Sequence, residues 1–406
     1  MTEQTTTAAA PSGTFLFPQT SSVRYGPGSI AELGPVADEL GAARVFAITT
    51  GWVDGLQDQL AEALGDRYAG AFLGTEMHVP RSSVLAAAEA AREAGADAIL
   101  SVGGGTQIDC ASAVGMALAC DIRTDADFDR WRVRYTYPDD LHVPDIPAGV
   151  VPHISIPTTL SGAESTNIFG VTDPARHTKD AYKNAQFVAH TVILDPELTV
   201  DVPDWLWASS GMRAVDHALE GILSKRHMPM ADALGVEGLR IIAGHLEHSA
   251  ANPSDVHARM TCQLGAWLSI YAATNVGVGL SHGLGHQLAA QFGMIHGVTS
   301  ACMLPHVMAF NADVTAPRLA RIAEALGAAT QATPEAESAA AGVAAVREFV
   351  DRLEPLGVPH TLQAAGARYD ELPDVADHAL TDLSVAVNPK PVTRDDLIGL
   401  LQAAWS

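Results

Sequence analysis

Across residues 23–203, short apolar runs alternate with Ala-rich stretches whose apolar residues recur every three or four positions, the pattern of a parallel sheet joined by helical crossovers. It predicts strands at 45–49, 98–102, 153–156 and 191–194, and helices at 30–40, 53–64, 83–94 and 107–118. Beyond residue 203 the β-branched runs vanish, and segments such as 205–223, 231–246 and 334–353 keep only the helical period. The chain therefore reads as an α/β domain over 14–203 followed by an all-α domain over 204–406. Residues 1–13, rich in Thr and Ala, read as a frayed tail. Residues 121–149, dense in Asp, Arg, Tyr and Pro without a sustained period, read as a surface excursion beside the cleft between the domains. No repeat of fixed period is present.

At 406 residues the chain is long for one core and suits two. Apolar residues at 48% against 17% charged exclude a disordered chain. A net charge of −23 argues against nucleic acid, whose binders need Lys and Arg to displace counterions, and equally against an anionic membrane surface. It also sets a condition, because a small anionic ligand would need a local cationic pocket to overcome the field of the whole molecule. Cys110, Cys120, Cys262 and Cys302 are scattered without metal-ligand spacing, which predicts reduced thiols and a cytoplasmic protein. The first residues lack the basic-then-apolar order of a signal peptide, and no run of about 18 uncharged apolar residues offers a membrane span.

Candidate chemistry begins at Ile99, Leu100, Ser101 and Val102, which run straight into Gly103, Gly104, Gly105 and Thr106 before a helical pattern starts at Gln107. Glycines lack the Cβ that would keep a pyrophosphate away from backbone amides, and the positive end of the following helix completes an anion site. Thr106 is placed to cap that helix and offer its hydroxyl. A tight turn without a ligand would read the same way. A second segment, Ile156, Pro157, Thr158, Thr159, Leu160, Ser161, Gly162, Ala163 and Glu164, again follows an apolar strand, and its hydroxyls offer donors to a ribose or phosphate.

Together these two segments resemble the iron-containing alcohol dehydrogenase superfamily, and IPTTLSGAE is similar to its maleylacetate reductase branch, with the order of motifs matching over about residues 22–311. The resemblance implies a dehydroquinate synthase-like architecture: a Rossmann-like, dinucleotide-binding α/β domain and an all-α substrate domain, assembled as a homodimer. It implies NADH or NADPH as cofactor, the pyrophosphate on Gly103, Gly104, Gly105 and Thr106, with Thr158, Thr159 and Leu160 along it. Ser112 departs from the Lys that many relatives carry on the helix after the glycines. Thr49 and Thr50 end an earlier strand, and NAD-selective relatives often have an Asp at the Thr50 position. Without a carboxylate there to repel a 2′-phosphate, NADPH is expected to be tolerated.

The resemblance also picks out a histidine set. Metal-bearing relatives hold their ion with an Asp and a His four residues apart and two His residues fourteen apart; His217 matches the first His, and His282 and His296 the later pair. Arg213 stands at the Asp position. Residues four apart on a helix share a face, so its guanidinium is expected beside His217, whereas Asp216 lies about 100° round the axis from His217 and is expected to point elsewhere. A divalent ion about 5 Å from a guanidinium meets several kcal/mol of repulsion at an effective dielectric of about 20. The expectation is metal-free function, with zinc or iron on His217, His282 and His296 as the alternative. Arg213 would instead grip a substrate carboxylate in a two-point fork, and His286, which the resemblance sets near the nicotinamide, is the candidate proton donor or relay. Singly, each histidine reads as a satisfied core residue, and Arg213 as a partner of Asp216 or Glu220.

The expected reaction is NAD(P)H-dependent reduction of a small anionic keto acid, specifically maleylacetate to 3-oxoadipate, in the cleft between the two domains. Two alternatives stand beside it: a metal-dependent dehydrogenase of small alcohols or aldehydes on the same histidines, and a non-redox lyase, cyclase or binding protein that kept the fold.

Overall fold

The computed structural model describes residues 13–17, 19–51, 55–138, 140–176 and 178–406; the expected tail at 1–13 lies outside these except for Gly13. The α/β half runs β1 (Ser22–Tyr25), α1 (Leu33–Leu40), β2 (Val45–Ile48), α2 (Leu56–Leu64), β3 (Tyr68–Phe72), α3 (Arg81–Glu93), β4 (Ala98–Gly103) and α4 (Gly105–Ala119). It continues through a short pair, β5 (Arg134–Thr136) and β6 (Asp140–His142), then β7 (His153–Pro157), the hairpin β8 (Ile168–Asp173) and β9 (Thr178–Lys183), and β10 (Thr191–Leu194).

The main sheet has the order β1-β10-β7-β4-β2-β3, with every neighbouring pair parallel. β2, β4, β7 and β10 are buried throughout, which is why they read as unbroken apolar runs. Alternate side chains of β2 serve opposite faces: Phe46 and Ile48 join the core under α3 and α4, and Val45 and Ala47 the core under α1 and α2. The edge strands β1 and β3 are half-exposed, and their mixed sequences SVRY and YAGAF fall outside the strands predicted from pattern. The expected excursion at 121–149 holds a 3-10 turn, Asp125–Arg130, and the β5–β6 pair. It is tied to the β8–β9 hairpin by the buried Arg81, which meets Asp129 at 2.7 Å, Asp180 at 2.9 Å and Asp173 at 3.3 Å.

From residue 204 on, the regular elements among the described residues are helices: α5 (Asp204–Leu223), α6 (Pro229–Ala251), α7 (Val256–Val276), α8 (Leu280–Phe292), α9 (His296–Phe310), α10 (Ala312–Ala325), α11 (Glu335–Leu353), α12 (Leu372–Ala379) and α13 (Arg394–Ala403). None is long and apolar enough to cross a membrane. Helix α5 is buried on its whole circumference from Trp207 to Leu223, so its polar residues Arg213, Asp216, His217 and Glu220 have to find partners inside the bundle. Gly297 lets α9 cross α5 at backbone contact, since a Cβ there would overlap the Ser209 carbonyl.

A candidate active site between the two halves

The first part of the site forms where β4 and β7 end side by side. Their register pairs Gly103 with Pro157, and the Thr158 amide donates to the Gly103 carbonyl at 2.9 Å, so the glycine and Thr-rich segments lie together. A Cβ on Gly103 would run into Gln107, one on Gly104 would press on Thr159, and one on Gly105 on Ser161. Gly104 precedes α4, and its amide is held by Gln107 Oε1 at 3.1 Å. Thr106 therefore sits within the first turn rather than capping it. Residues 104–107 keep exposed edges at the positive end of a 15-residue helix, and this cradle fits a dinucleotide pyrophosphate.

Two of the residues expected along the cofactor are bonded into the scaffold. Thr49, just past the end of β2, is fully buried and its hydroxyl donates to the Val102 carbonyl at 2.9 Å. Leu160 lies in the helical core, and its amide goes to Ser210 Oγ on α5 at 3.1 Å, tying the two halves together. Thr159 is buried against Gly104, while Thr50 and Thr158 keep partial exposure. Ser112 is buried beside the Phe187 carbonyl.

The second part is a file of five imidazoles. Ring centroids are 4.9 Å apart for His217 and His282, 6.1 Å for His282 and His286, 5.6 Å for His286 and His296, and 6.4 Å for His296 and His78. The first four come from α5, α8 and the start of α9; His78 comes from the loop between β3 and α3, so the file crosses from one half to the other.

Arg213 lies beside this file, only 8% exposed. Its Nη1 donates to Ser300 Oγ at 3.3 Å and stands 3.6 Å from Asp216 Oδ2, and its Nη2 reaches His286 Nε2 at 3.5 Å. A guanidinium only donates, so His286 Nε2 accepts, and its Nδ1 donates to Asp382 Oδ2 at 2.8 Å. The partnership of Arg213 with Asp216 corrects the expectation that Asp216 points elsewhere: α5 is enclosed on all sides, and a turn round its axis leads to α8 and α9. Fully buried Asp216 accepts from Ser281 Oγ at 3.0 Å and Ser300 Oγ at 2.6 Å, and lies 3.3 Å from His282 Nδ1. One turn on, Glu220 accepts the amides of Gly279 at 2.7 Å and Ser281 at 2.6 Å and the His282 Nδ1 proton at 2.7 Å, which leaves His282 Nε2 facing away from it.

Burial, and after it the Arg213 charge, holds His217 and His282 well below the usual imidazole range, so both are neutral at pH 7. His296 is held down by burial and then by Lys179 and Arg213. Burial lifts Asp216 and, more strongly, Glu220, where the charge of Asp216 adds to it. Asp382 goes the other way: despite burial, its attraction and hydrogen bond to His286, with the hydrogen bonds of Ser384, hold it below the usual carboxylate range. A second cation, Lys179 on β9, reaches the site from the α/β half, 3.4 Å from Asp109 Oδ2 on α4.

A metal on His217, His282 and His296 is a separate matter. His217 Nδ1, His282 Nε2 and His296 Nδ1 are buried without hydrogen-bond partners. Among the described residues, however, these three do not bring donor atoms within 4.8 Å of one another. The grouping at this site that does is Asp216, Glu220 and His282, whose carboxylates already serve two serines and the start of α8 and lie against Arg213. The three buried nitrogens without partners are the donors that an ion at this place would draw on.

Some members of the site were named in the sequence only as partners of Arg213, and others escaped it. Asp216 and Glu220 carried a usable signal, two carboxylates four apart on a helix apolar all round. Asp382 lies 96 residues from the histidine it holds, and nothing in its surroundings announces it. His78, on the loop after β3, and Lys179, on β9, were likewise unmarked.

Residues 20–196 match the family described as iron-containing alcohol dehydrogenase, and residues 207–405 the C-terminal part of the Fe-containing alcohol dehydrogenase family. The chain is 31% identical to a maleylacetate reductase of Burkholderia cepacia over 94% of its own length and 95% of that protein. It is 27% identical to an NAD-dependent methanol dehydrogenase of Bacillus methanolicus over 96% and 99%. The solved maleylacetate reductase of Agrobacterium tumefaciens superposes with a TM-score of 0.78 at 28% identity, covering 98% of this chain and 99% of that one.

Proposed function

The chain belongs to the iron-containing alcohol dehydrogenase family and is an NAD(P)-dependent oxidoreductase, and from that premise we propose that it reduces a small anionic keto acid, maleylacetate to 3-oxoadipate. The observation that carries this reading is the buried guanidinium of Arg213 beside the histidine file, which gives a strongly acidic molecule the local cation that an anionic substrate requires.

Gly103, Gly104, Gly105, Thr106 and Thr158 would hold the nucleotide, which when bound in its reduced form supplies a hydride. As the carbon conjugated to the ketone is reduced, negative charge gathers on the carbonyl oxygen. Arg213 answers that charge or fixes the neighbouring carboxylate, in a setting with little water to screen it. His286, aligned by Asp382 behind and Arg213 in front, is the relay: once the substrate draws the Arg213 guanidinium to itself, His286 Nε2 takes a proton from water and passes it to the adjacent carbon. His217, His282 and His296 shape the pocket as neutral imidazoles.

A second reading, a metal-dependent alcohol or aldehyde dehydrogenase, is favoured by the three unpartnered imidazole nitrogens and by the likeness to the methanol dehydrogenase. One experiment separates the two. Consumption of NADH with maleylacetate is measured for the wild type and Arg213→Ala, with and without chelator, alongside metal analysis. The keto-acid reading expects a loss of more than about tenfold in kcat/KM for the variant, roughly 1.4 kcal/mol. Near-normal turnover by Arg213→Ala, or activity on simple alcohols that chelation abolishes, would overturn it.

Three further features belong to this reading. Thr50 in place of an acidic residue supports use of NADPH as well as NADH, and a discrimination above about a hundredfold in parallel assays would refute it. Four cysteines without disulfides suit the cytosol, which fractionation of the producing cell would check. The edge strand β1 and the segment before it expose Leu16, Phe17 and Tyr25, which supports a homodimer, to be tested by sedimentation.

A further inference from the structure

Three groups central to the site, Arg213, His217 and His282, are at most 8% exposed, so a substrate reaches them only when part of the structure moves. The chain between α4 and β7 is the part built to do so. Its ends, Ala119 and His153, lie at the edge of the main sheet where the strands begin, yet its middle climbs to the opposite edge, where parallel sheets bind their ligands. Arg81 marks the climb: it stands at the start of α3, and its Nη1 donates to the Asp125 carbonyl at 2.8 Å.

At both ends this chain is part of the scaffold. Phe128 is fully buried, its ring 5.4 Å from the Arg81 guanidinium, and on the way back Ile146 joins the same core while the Gly149 amide donates to Gln186 Oε1 at 3.1 Å. The β5–β6 pair between these anchors is attached differently. The Val133 amide donates to the Ala181 carbonyl of β9 at 2.7 Å, and β9 packs against α8, the helix of His282 and His286. Beyond that bond Arg134, Thr136, Leu141, His142 and Val143 are exposed. Tyr137, which follows β5, crosses to the helical half and packs on its hydrophobic core; among the described residues before Val202, Leu160 at the seam is the other one that does.

We propose that the β5–β6 pair is a strap across the mouth of the cleft, latched on the helical half by Tyr137, and that it lifts to let nucleotide and substrate in and product out. A fastening made by one half-buried ring opens far more easily than the ion pairs of Arg81 at the base, so the tip moves while the base keeps its place. Closed, the strap keeps water from the buried guanidinium and imidazoles, whose interactions with a developing charge are strongest where water is excluded.

The test uses NADH alone, so it stands whether or not the keto-acid reading does. Tyr137→Ser removes the latch, Tyr137→Phe keeps the ring, and Leu141→Ser changes an exposed residue of the strap that latches nothing. Trypsin cleavage after Arg134, followed by mass spectrometry, should be at least about tenfold faster in Tyr137→Ser than in the wild type. NADH dissociation, followed by stopped-flow fluorescence, should be at least about threefold faster in the same variant. Tyr137→Phe and Leu141→Ser should match the wild type in both assays. A wild-type cleavage rate in Tyr137→Ser would overturn the latch, and unchanged NADH dissociation would overturn the gate, since a strap that loosens without altering exchange does not control it. Equal effects from Leu141→Ser would likewise overturn the assignment to Tyr137. If Tyr137→Ser fails to fold, Tyr137→Leu is read in the same two assays against the same outcomes.

Discussion

Asp382 illustrates what one carboxylate can do at a distance from the reacting atoms. With Arg213 donating to one nitrogen of His286 and Asp382 accepting from the other, the imidazole is held in one tautomer and one orientation. Asp382→Asn keeps the shape but offers an amide that can present a donor where an acceptor was. The expected result is a fall in kcat of at least about tenfold with nucleotide affinity and melting temperature little changed, since only the proton path is disturbed. Unchanged kcat in that variant would remove His286 from the proton path. Glu164 gives a residue-scale test of a different sort. Burial pushes its carboxyl up to about 7, and its Oε2 has no partner. The folded state therefore binds the proton more tightly than the unfolded chain, so stability is full below the unfolded carboxylate range and falls as pH rises through about 7. Glu164→Gln should gain stability at pH 8, on the order of 2–3 kcal/mol, and little at pH 5, as read by chemical denaturation at the two values. Arg213 was legible from its spacing to His217, because i and i+4 share a helix face whatever the surroundings; Asp382 and Glu164 were not, because their roles arise from burial that no local pattern encodes.

Among the elements, α8 depends on its neighbour. It begins at Leu280 after Gly279, with no side chain of its own to cap it, and the orphan amides of its first turn are taken by Glu220 from α5. One carboxylate thereby fixes where α8 starts and which way His282 faces. Glu220→Gln would set an NH2 group against buried amide donors, and a destabilisation of about 1–3 kcal/mol is expected in urea unfolding, together with weakened activity. A variant as stable as wild type would show that water or another group caps α8 equally well. The long helices and central strands were legible because apolar periodicity is strong where burial is complete. The edge strands β1 and β3 and the β8–β9 hairpin were not, because half-exposed strands of mixed polarity carry no such signal. The hairpin supplies Lys179 and the loop after β3 supplies His78, so the helical side of the site was visible in the sequence and the opposing side was not.

For the molecule as a whole, a net charge of −23 surrounds a pocket built on Arg213 and Lys179. A dianion approaching from solvent meets repulsion first, felt over the Debye length, and attraction only near contact, where screening acts least. Raising ionic strength shortens the Debye length from about 30 Å at 0.01 M to about 8 Å at 0.15 M, weakening the distant term far more than the near one. Catalytic efficiency toward a dicarboxylate should therefore increase with salt over that range, by roughly two- to fivefold, opposite to the usual behaviour of a charge-steered enzyme. A neutral aldehyde in the same assay should show no trend, which separates screening from a general salt effect on the protein. A decrease with salt for the dianion would mean that the cationic pocket projects beyond the acidic surface, and that the acidity of the chain sets no barrier to its substrate.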